Sequence, residues 1–567
     1  MSGLIPDFPR GRRLLIPVVL GLIAVGSHAQ VLKVGYRYPV WKLNPYEAQD
    51  RESKDVCDLI YSGLIGIDYN LNNIPEMAGT DPAQWNPLLG NGETDRLTVP
   101  LARSVRWHGL DKQLNANDVK STLRYLRNHA NAPGAAKVAN IAQIIDDGPN
   151  SVRITFRPGQ FTYRNLDFKL IPRMIEDSRD WEKNLGSKMQ FCVGTGPYRL
   201  TSWDMVNHQM TLEYANNGFF DSPSFAAYKP PYIQNIVVTV NPDENTRTMD
   251  LQSHVIDLIT DLPATYSARL REDSANVKLL NYRSVELTAI LFNVRPTKGS
   301  SRNKHFATFG MREFRRAVDL ALDKKIIYKD VFQDRSPFPS ISGPFLPGSG
   351  MYNSSVQDYQ WADCDYSRQP FAQRQQQART RIAQIYKLKP GDVAPVLLDF
   401  VYLSTNDAGN TNLLIANYVD SLLKDVGLRI NTIPLEKHQY YERLQRGDFD
   451  LALYEWTSNV NPGLDMWEPR EEDEKGIPAN AANISGYVYS GRNPGEFAEH
   501  VRTIKYGRRD IEEIRRAHHF VHQELHEEVA AVFLWNRNLF IALNSKYKST
   551  VVRDPVHFLK SIVYWRK

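Results

Sequence analysis

Residues 396–433, VLLDFVYLSTNDAGNTNLLIANYVDSLLKDVGLRINTI, read as strand, helix, strand. An apolar run opens the stretch, apolar residues return at helical spacing between Asn412 and Val426, and a second apolar run ends at Ile433. Strands joined through a helix of that length are parallel neighbours, since a tight turn joins only antiparallel ones. The unit therefore points to an α/β layer.

The same alternation continues on both sides. Upstream lie a polar helix, Pro370 to Tyr386, an ordered Pro/Gly loop, Gly343 to Gly348, and an apolar strand, Leu287 to Phe292, leading to a helix over Met311 to Leu322. Downstream, a helix over Arg508 to Val529 precedes strands from Val532 to Leu543. Near the start, Val31 to Tyr36 alternates as a first strand, and Glu47 to Tyr61 has a helical pattern. Between about Asp81 and Phe191, short strands surround a helix over Ala116 to Asn128, with Asn115 as its cap and Val119, Leu123 and Leu126 as its stripe. That stretch reads as an inserted subdomain. Strands follow the glycine loop of Cys192 to Tyr214, and a strand with a helix over Asp243 to His254 fills Ile233 to Leu258. With no repeat and no linker, the pattern predicts α/β lobes packed together, the chain crossing between them more than once.

Composition narrows the function. The chain has 567 residues, 42% hydrophobic and 23% charged, which excludes disorder and collagen. A formal charge of +5 from 69 basic and 64 acidic residues leaves no electrostatic case for a nucleic-acid partner. Cys57, Cys192 and Cys364 are too far apart for a zinc knuckle or a redox pair; one disulfide with a leftover thiol stays open. Arg10, Arg12 and Arg13 precede the apolar run Leu14 to Val25, and Ser27-His28-Ala29 supplies small residues. Residues 1–29 thus read as a cleaved export signal. The run falls short of the roughly 20 residues of a spanning helix, and no cysteine lies near the cut for a lipid. The expected product is exported, soluble and not lipid-anchored.

The chemical motifs are weak. Gly194 to Gly196 precedes Pro197 and a strand, so it cannot open a phosphate-binding helix; a turn with positive φ at glycine is expected. His518, His519, His522 and His526 share helical spacing, but the metalloprotease pattern is absent. A solvated polar helix is expected there, with metal affinity as the alternative. Asp448 and Asp450 lie on one strand face and are expected to pair with a base. Glu471 to Glu474 reads as a solvated loop, with docking or calcium binding as alternatives. No nucleophile elbow or ordered triad occurs, so neither an enzyme nor a cofactor or metal centre is expected.

Five segments carry a resemblance. They are LNP at 43–45 with YSGLIGID at 61–68 and IPEMA at 74–78; VRWHG at 105–109 with LNANDV at 114–119; VGTGPY at 193–198; ILFN at 290–293 with FRRAVDLALD at 314–323; and GDFDL at 447–451. In order and content they resemble the family 5 extracellular solute-binding proteins of peptide and nickel ABC importers. The resemblance implies an α/β, two-lobed periplasmic binding protein fold with a hinge and an extra subdomain beside lobe I. On that pattern 30–70 and 191–288 form lobe I, 71–190 the insertion, 289–530 lobe II, and 531–567 a return to lobe I. Closure is expected about strands near Asn281 to Asn293 and a second crossing near the C-terminus. The implied function is capture of a peptide or peptide-like solute for an ABC permease, with ATP hydrolysis on other subunits, by a monomer in the periplasm.

The pattern breaks at the ligand's ends. The resemblance places Asn459 where peptide-binding members carry an aspartate for the α-ammonium, and 401–406 lacks the arginine with which dipeptide readers hold a carboxylate. An amide makes a weaker contact than a charge-assisted one, so a longer, modified or end-blocked peptide is expected rather than a dipeptide. Glu455 or Asp465 could replace the missing aspartate. The expected cleft is lined by Tyr36, Trp41, Tyr402, Asn406, Trp456, Asn459 and Asp465, with plain core as the alternative for Trp456. A sensor or a receptor for a modified sugar, opine-like compound or metal chelate shares this fold, and an exported hydrolase is the distant alternative. For nickel itself no His or Cys cluster lies near these segments.

Overall fold

The computed structural model describes residues 30–565 except 49, 68–72, 86–94, 130–137, 149, 159, 163, 223, 296–305, 348, 350, 405–409, 458–463, 468–482, 488–493, 507–510 and 548–557. The export signal, the acidic run Glu471 to Glu474, Asn406 and Asn459 lie outside the described residues.

The stretch 396–433 folds as its pattern requires. Strands Leu397–Leu403 and Arg429–Leu435 pair in parallel, from Leu397 opposite Arg429 to Leu403 opposite Leu435. Helix Thr411–Asp425 joins them and buries Ile415, Ala416, Val419 and Leu423 on one face. This unit forms one side of a five-stranded sheet in the order Arg429–Leu435, Leu397–Leu403, Leu451–Thr457, Glu286–Phe292, Ala531–Trp535. A second sheet has seven strands: Val277–Arg283, Asn538–Asn544, Leu258–Leu262, Val31–Tyr36, Asn235–Val240, Gln209–Tyr214 and Tyr198–Asp204. Each sheet has its own hydrophobic core, centred on Val34 and Tyr198 in the seven-stranded lobe and on Ile290 and Phe400 in the five-stranded one.

A three-stranded antiparallel sheet, Arg96–Pro100, Ser151–Phe156 and Ile141–Asp146, forms beside the first lobe and shares its core. Helix Ala116–Asn128 covers it. Asn115 and Asp118 cap that helix reciprocally, and Val119, Leu123 and Leu126 are buried.

The chain crosses between the sheets at two adjacent points, residues 284–285 and 536–537. Ser284 N–H donates to the Arg537 carbonyl at 2.8 Å, and Asn536 Nδ2 donates to the carbonyls of Ser284 and Glu286. Two expected boundaries move as a result. The second lobe's sheet begins at Glu286 rather than 289, and Ala531–Trp535 belongs to that sheet rather than to a return to lobe I. The reason is pairing: Ala531–Trp535 lies antiparallel to Glu286–Phe292, with Leu291 opposite Ala531 and Thr288 opposite Trp535. The apolar run 532–543 is therefore two strands in two sheets, parted at the crossing. Among the described residues no helix is long and apolar enough to cross a membrane.

Candidate functional site

A cavity of about 1080 Å³ opens where the lobes meet at the crossings. The first lobe lines it with helix Arg51–Ile60 and with residues 261–266 after strand Leu258–Leu262. The second lobe lines it with residues 328–334, at the end of helix Lys324–Phe332, and with Thr411 and Leu414 at the start of the crossover helix. Glu286 and Arg537 border it from the crossing segments.

Helix Arg51–Ile60 starts where Asp50 accepts the Ser53 N–H at 2.7 Å. Val56, Leu59 and Ile60 join the core, while Glu52, Asp55 and Asp58 line the cavity. The helix end is fixed by the glycine loop. A Cβ on Gly194 would stand 1.9 Å from the Ile60 carbonyl oxygen, and one on Gly196 would stand 2.4 Å from that of Leu59. These glycines are required by close backbone approach. Neither has positive φ, which corrects the expected turn.

Arg51 donates to the Thr260 carbonyl and the Tyr282 hydroxyl, each at 2.8 Å. Burial opposes its charge, but Tyr282, Asp55, Asp261 and Glu286 outweigh burial and hold it protonated. Glu52 has the opposite balance. Burial, then Asp261 and Asp50, push its carboxyl up to about 7, against its own backbone N–H and Arg51. One side of Glu455 is open to solvent, yet the protein enclosing its other sides, and then Glu286, push its carboxyl up to about 7 against Arg537 and the Thr288 hydroxyl. Across the cavity, Asp334 accepts from Tyr328 at 3.0 Å and from Asn538 at 2.8 Å, tying the second lobe's helix to the returning strand.

Of the expected cleft residues with described side chains, Tyr36, Trp41, Tyr402 and Trp456, none is among those lining this cavity. Tyr36 is buried on the first strand, where its hydroxyl donates to Asp55 at 3.3 Å and so braces a residue that does line it. Trp41 is 60% exposed and meets His208 edge-on at 5.8 Å. Tyr402 is buried in its strand. Trp456 packs against Tyr454 and Phe533 as core, its indole N–H unpaired. Asp465 falls in the short helix Leu464–Trp467. Strand alternation turns Tyr36, Tyr402 and Trp456 inward, a choice of face that the segments alone did not reveal. The missed residues had one legible signal: Glu52, Asp55 and Asp58 recur every third position in the helix Arg51–Ile60, and so share a face.

The histidines are not on a solvated helix. His518, His522 and His526 are buried, because helix Ile511–Glu527 packs against the loop around Ser342 and Asn353. His522 Nδ1 accepts the Asn353 N–H at 3.1 Å and its Nε2 meets the Ser342 hydroxyl at 3.1 Å. Burial, then His526, lowers its pKa to about 3. Asp448 pairs with Arg443 at 3.5 Å, as expected. Asp450 accepts the Asp399 N–H at 2.8 Å, locking two strands together. Both precede the strand Leu451–Thr457. All three cysteines are free thiols, Cys57 and Cys192 buried.

Known proteins share this pattern. The model of the bacterial extracellular solute-binding proteins, family 5 Middle, matches residues 92–473. Di/tripeptide-binding protein 2 of Pseudomonas aeruginosa (strain UCBPP-PA14) is 26% identical over 47% of this chain and 43% of its own. Glutathione-binding protein GsiB of Shigella dysenteriae serotype 1 (strain Sd197) is 25% identical over 60% of this chain and 59% of its own. The chain thus spans less than two thirds of the length of these two relatives. In fold it is similar to the oligopeptide-binding protein AppA from Bacillus subtilis in complex with a nonapeptide. The TM-score is 0.68 at 20% identity, over 95% of this chain and 99% of that one.

Proposed function

This chain belongs to the bacterial extracellular solute-binding proteins of family 5, and on that premise we propose that it captures a peptide or peptide-like solute between its lobes for delivery to an ABC permease. The observation that carries the reading is the cavity of about 1080 Å³ lined from both lobes at the paired crossings. Its size is at the upper end for small-molecule sites, enough for an oligopeptide segment or a compound of similar bulk. Its position gives the mechanism. A solute touching both walls binds the closed arrangement better than the open one, and only that difference shifts the equilibrium toward closure. The lobes move as units because each has its own core, while the short crossings absorb the change.

The names of the two relatives, which bind di- and tripeptides and glutathione, support a solute of peptide character. The solute is longer, modified or end-blocked rather than a free dipeptide, because Asn459 and the loop after Tyr402 lack the charges that hold dipeptide ends. The protein works as a monomer in the periplasm, returns its solute unchanged, and leaves ATP hydrolysis to its partners. Native mass spectrometry of the exported protein, then denaturation and identification of what is released, tests this. Release of a peptide or peptide-like compound supports it, and cleavage of peptides at a rate abolished by a cleft substitution overturns it.

A further inference from the structure

The cleft of this basic protein is acidic. Nine Asp or Glu side chains line it against five Arg or Lys, although the whole chain carries a formal charge of +5. Several of these carboxylates are matched within the protein. Asp58 pairs with Lys169 at 2.8 Å, Glu244 and Asp261 share Arg247, and Asp334 accepts from Tyr328 and Asn538.

Glu52 is not matched. It is 7% exposed, lines the cavity, and among the described residues its carboxylate has only its own backbone N–H as a hydrogen-bond donor. Glu286 lines the same cavity from the first residue of a second-lobe strand and, like Glu52, interacts with the Arg51 charge; the Ser284 hydroxyl is a weak contact at 3.5 Å. Of the cations beside Glu52, Lys54 is exposed to solvent, and the Arg51 guanidinium is engaged by Thr260 and Tyr282 and shared by Asp55, Asp261 and Glu286. Arg537 is held over Phe332 at 5.8 Å. The local field therefore stays negative where the lobes meet, and a buried carboxylate without an ion pair at that point is costly unless a ligand supplies the charge.

We infer that the solute carries a positive charge, a primary ammonium or a guanidinium, which seats between Glu52 of the first lobe and Glu286 of the second. The inference rests on the cleft being the capture site. Because the two carboxylates belong to different lobes, a cation reaching both favours closure over opening. A neutral solute of the same shape buries both charges uncompensated, so the site selects by rejection as well as by attraction.

The test is a competition on the full chain. A mixture of N-acetylated tri- and tetrapeptides, in which every lysine peptide has a partner with norleucine in its place so that the side chain is the only ammonium, is presented together with alkyl diamines and the matching diols. Retained compounds are released by denaturation and quantified by mass spectrometry. The expected result is about tenfold or greater preference for lysine peptides, the order of one charge-assisted contact, with that preference falling about tenfold in Glu52→Gln. Glu286→Gln gives a second reading should the first variant not fold. Norleucine peptides retained as well as their lysine partners overturn the charge inference and leave the peptide reading standing. Diamines retained while no peptide is retained support the charge and overturn the peptide reading. Diols retained equally with diamines, or nothing retained by a folded chain, overturn the charge inference.

Discussion

Glu52→Gln is expected to stabilise this protein, and only above mildly acidic pH. In the folded chain the Glu52 carboxyl titrates near 7, whereas the ordinary value is 4.5. Between those values the folded state holds a proton that the unfolded state has released. Wild-type stability therefore falls as pH rises from about 4.5 to 7 and stays reduced above that. The full penalty is about 3 kcal/mol. It is meaningful because the side chain is 7% exposed; burial is its main cause, Asp261 and Asp50 add to it, and Arg51 opposes it. Glutamine has the same shape and cannot ionise. The stability difference between variant and wild type should be near zero at pH 4 and about 3 kcal/mol at pH 8. The assay is urea denaturation followed by tryptophan fluorescence across that pH range, comparing midpoints where the slopes agree. A difference that does not change with pH would refute the reasoning, since it would place the Glu52 titration outside the window. Stabilisation by loss of a cleft carboxylate is what a site built for a ligand, rather than for the fold, should show.

Asn536→Ala removes the two Nδ2–H donors that join the crossings; its Oδ1 makes no hydrogen bond, so the loss is that of the donors. It should cost about 2–4 kcal/mol in chemical denaturation, and an unchanged midpoint would show that the crossing does not depend on it. Gly194→Ala drives a Cβ into the Ile60 carbonyl and should cost about 1–3 kcal/mol or more. Gly310→Ala, which meets nothing within 4 Å and has no positive φ, should stay within about 0.5 kcal/mol in the same chemical denaturation. His522, with its pKa lowered to about 3, stays neutral in the folded state while the unfolded state takes up a proton below about 6.5. Wild type should thus lose about 4 kcal/mol more than His522→Gln between pH 6.5 and 3; parallel acid-denaturation curves would count against that burial.

The two layers of this protein were legible to different depths. Helix Ala116–Asn128 and strand Val31–Tyr36 fall where the pattern put them, because an apolar period of 3.6 or 2 is a local property that survives any tertiary context. The βαβ unit at 396–433 was legible for the same reason, and parallel pairing follows from connection length alone. The run 532–543 was not separable: one apolar stretch serves two sheets, and only the partner strand Glu286–Phe292 decides where it leaves one for the other. The site was less legible still. Tyr36 and Trp456 have the amphipathic rings of binding residues, yet their strands turn them into the core, since a pleat offers two faces and the pattern of one segment does not say which will face the second lobe. His518, His522 and His526 read as polar surface until the loop at Ser342 and Asn353 covered them. By itself the sequence determined the α/β class, the family and the order of elements, all set by short-range periodicity and local motifs. Only the tertiary structure decided which cleft carboxylates are left without an ion pair among the described residues. Glu52 and Glu286 are 234 positions apart in the chain, and the balance of charge between them exists only once both crossings bring the lobes together.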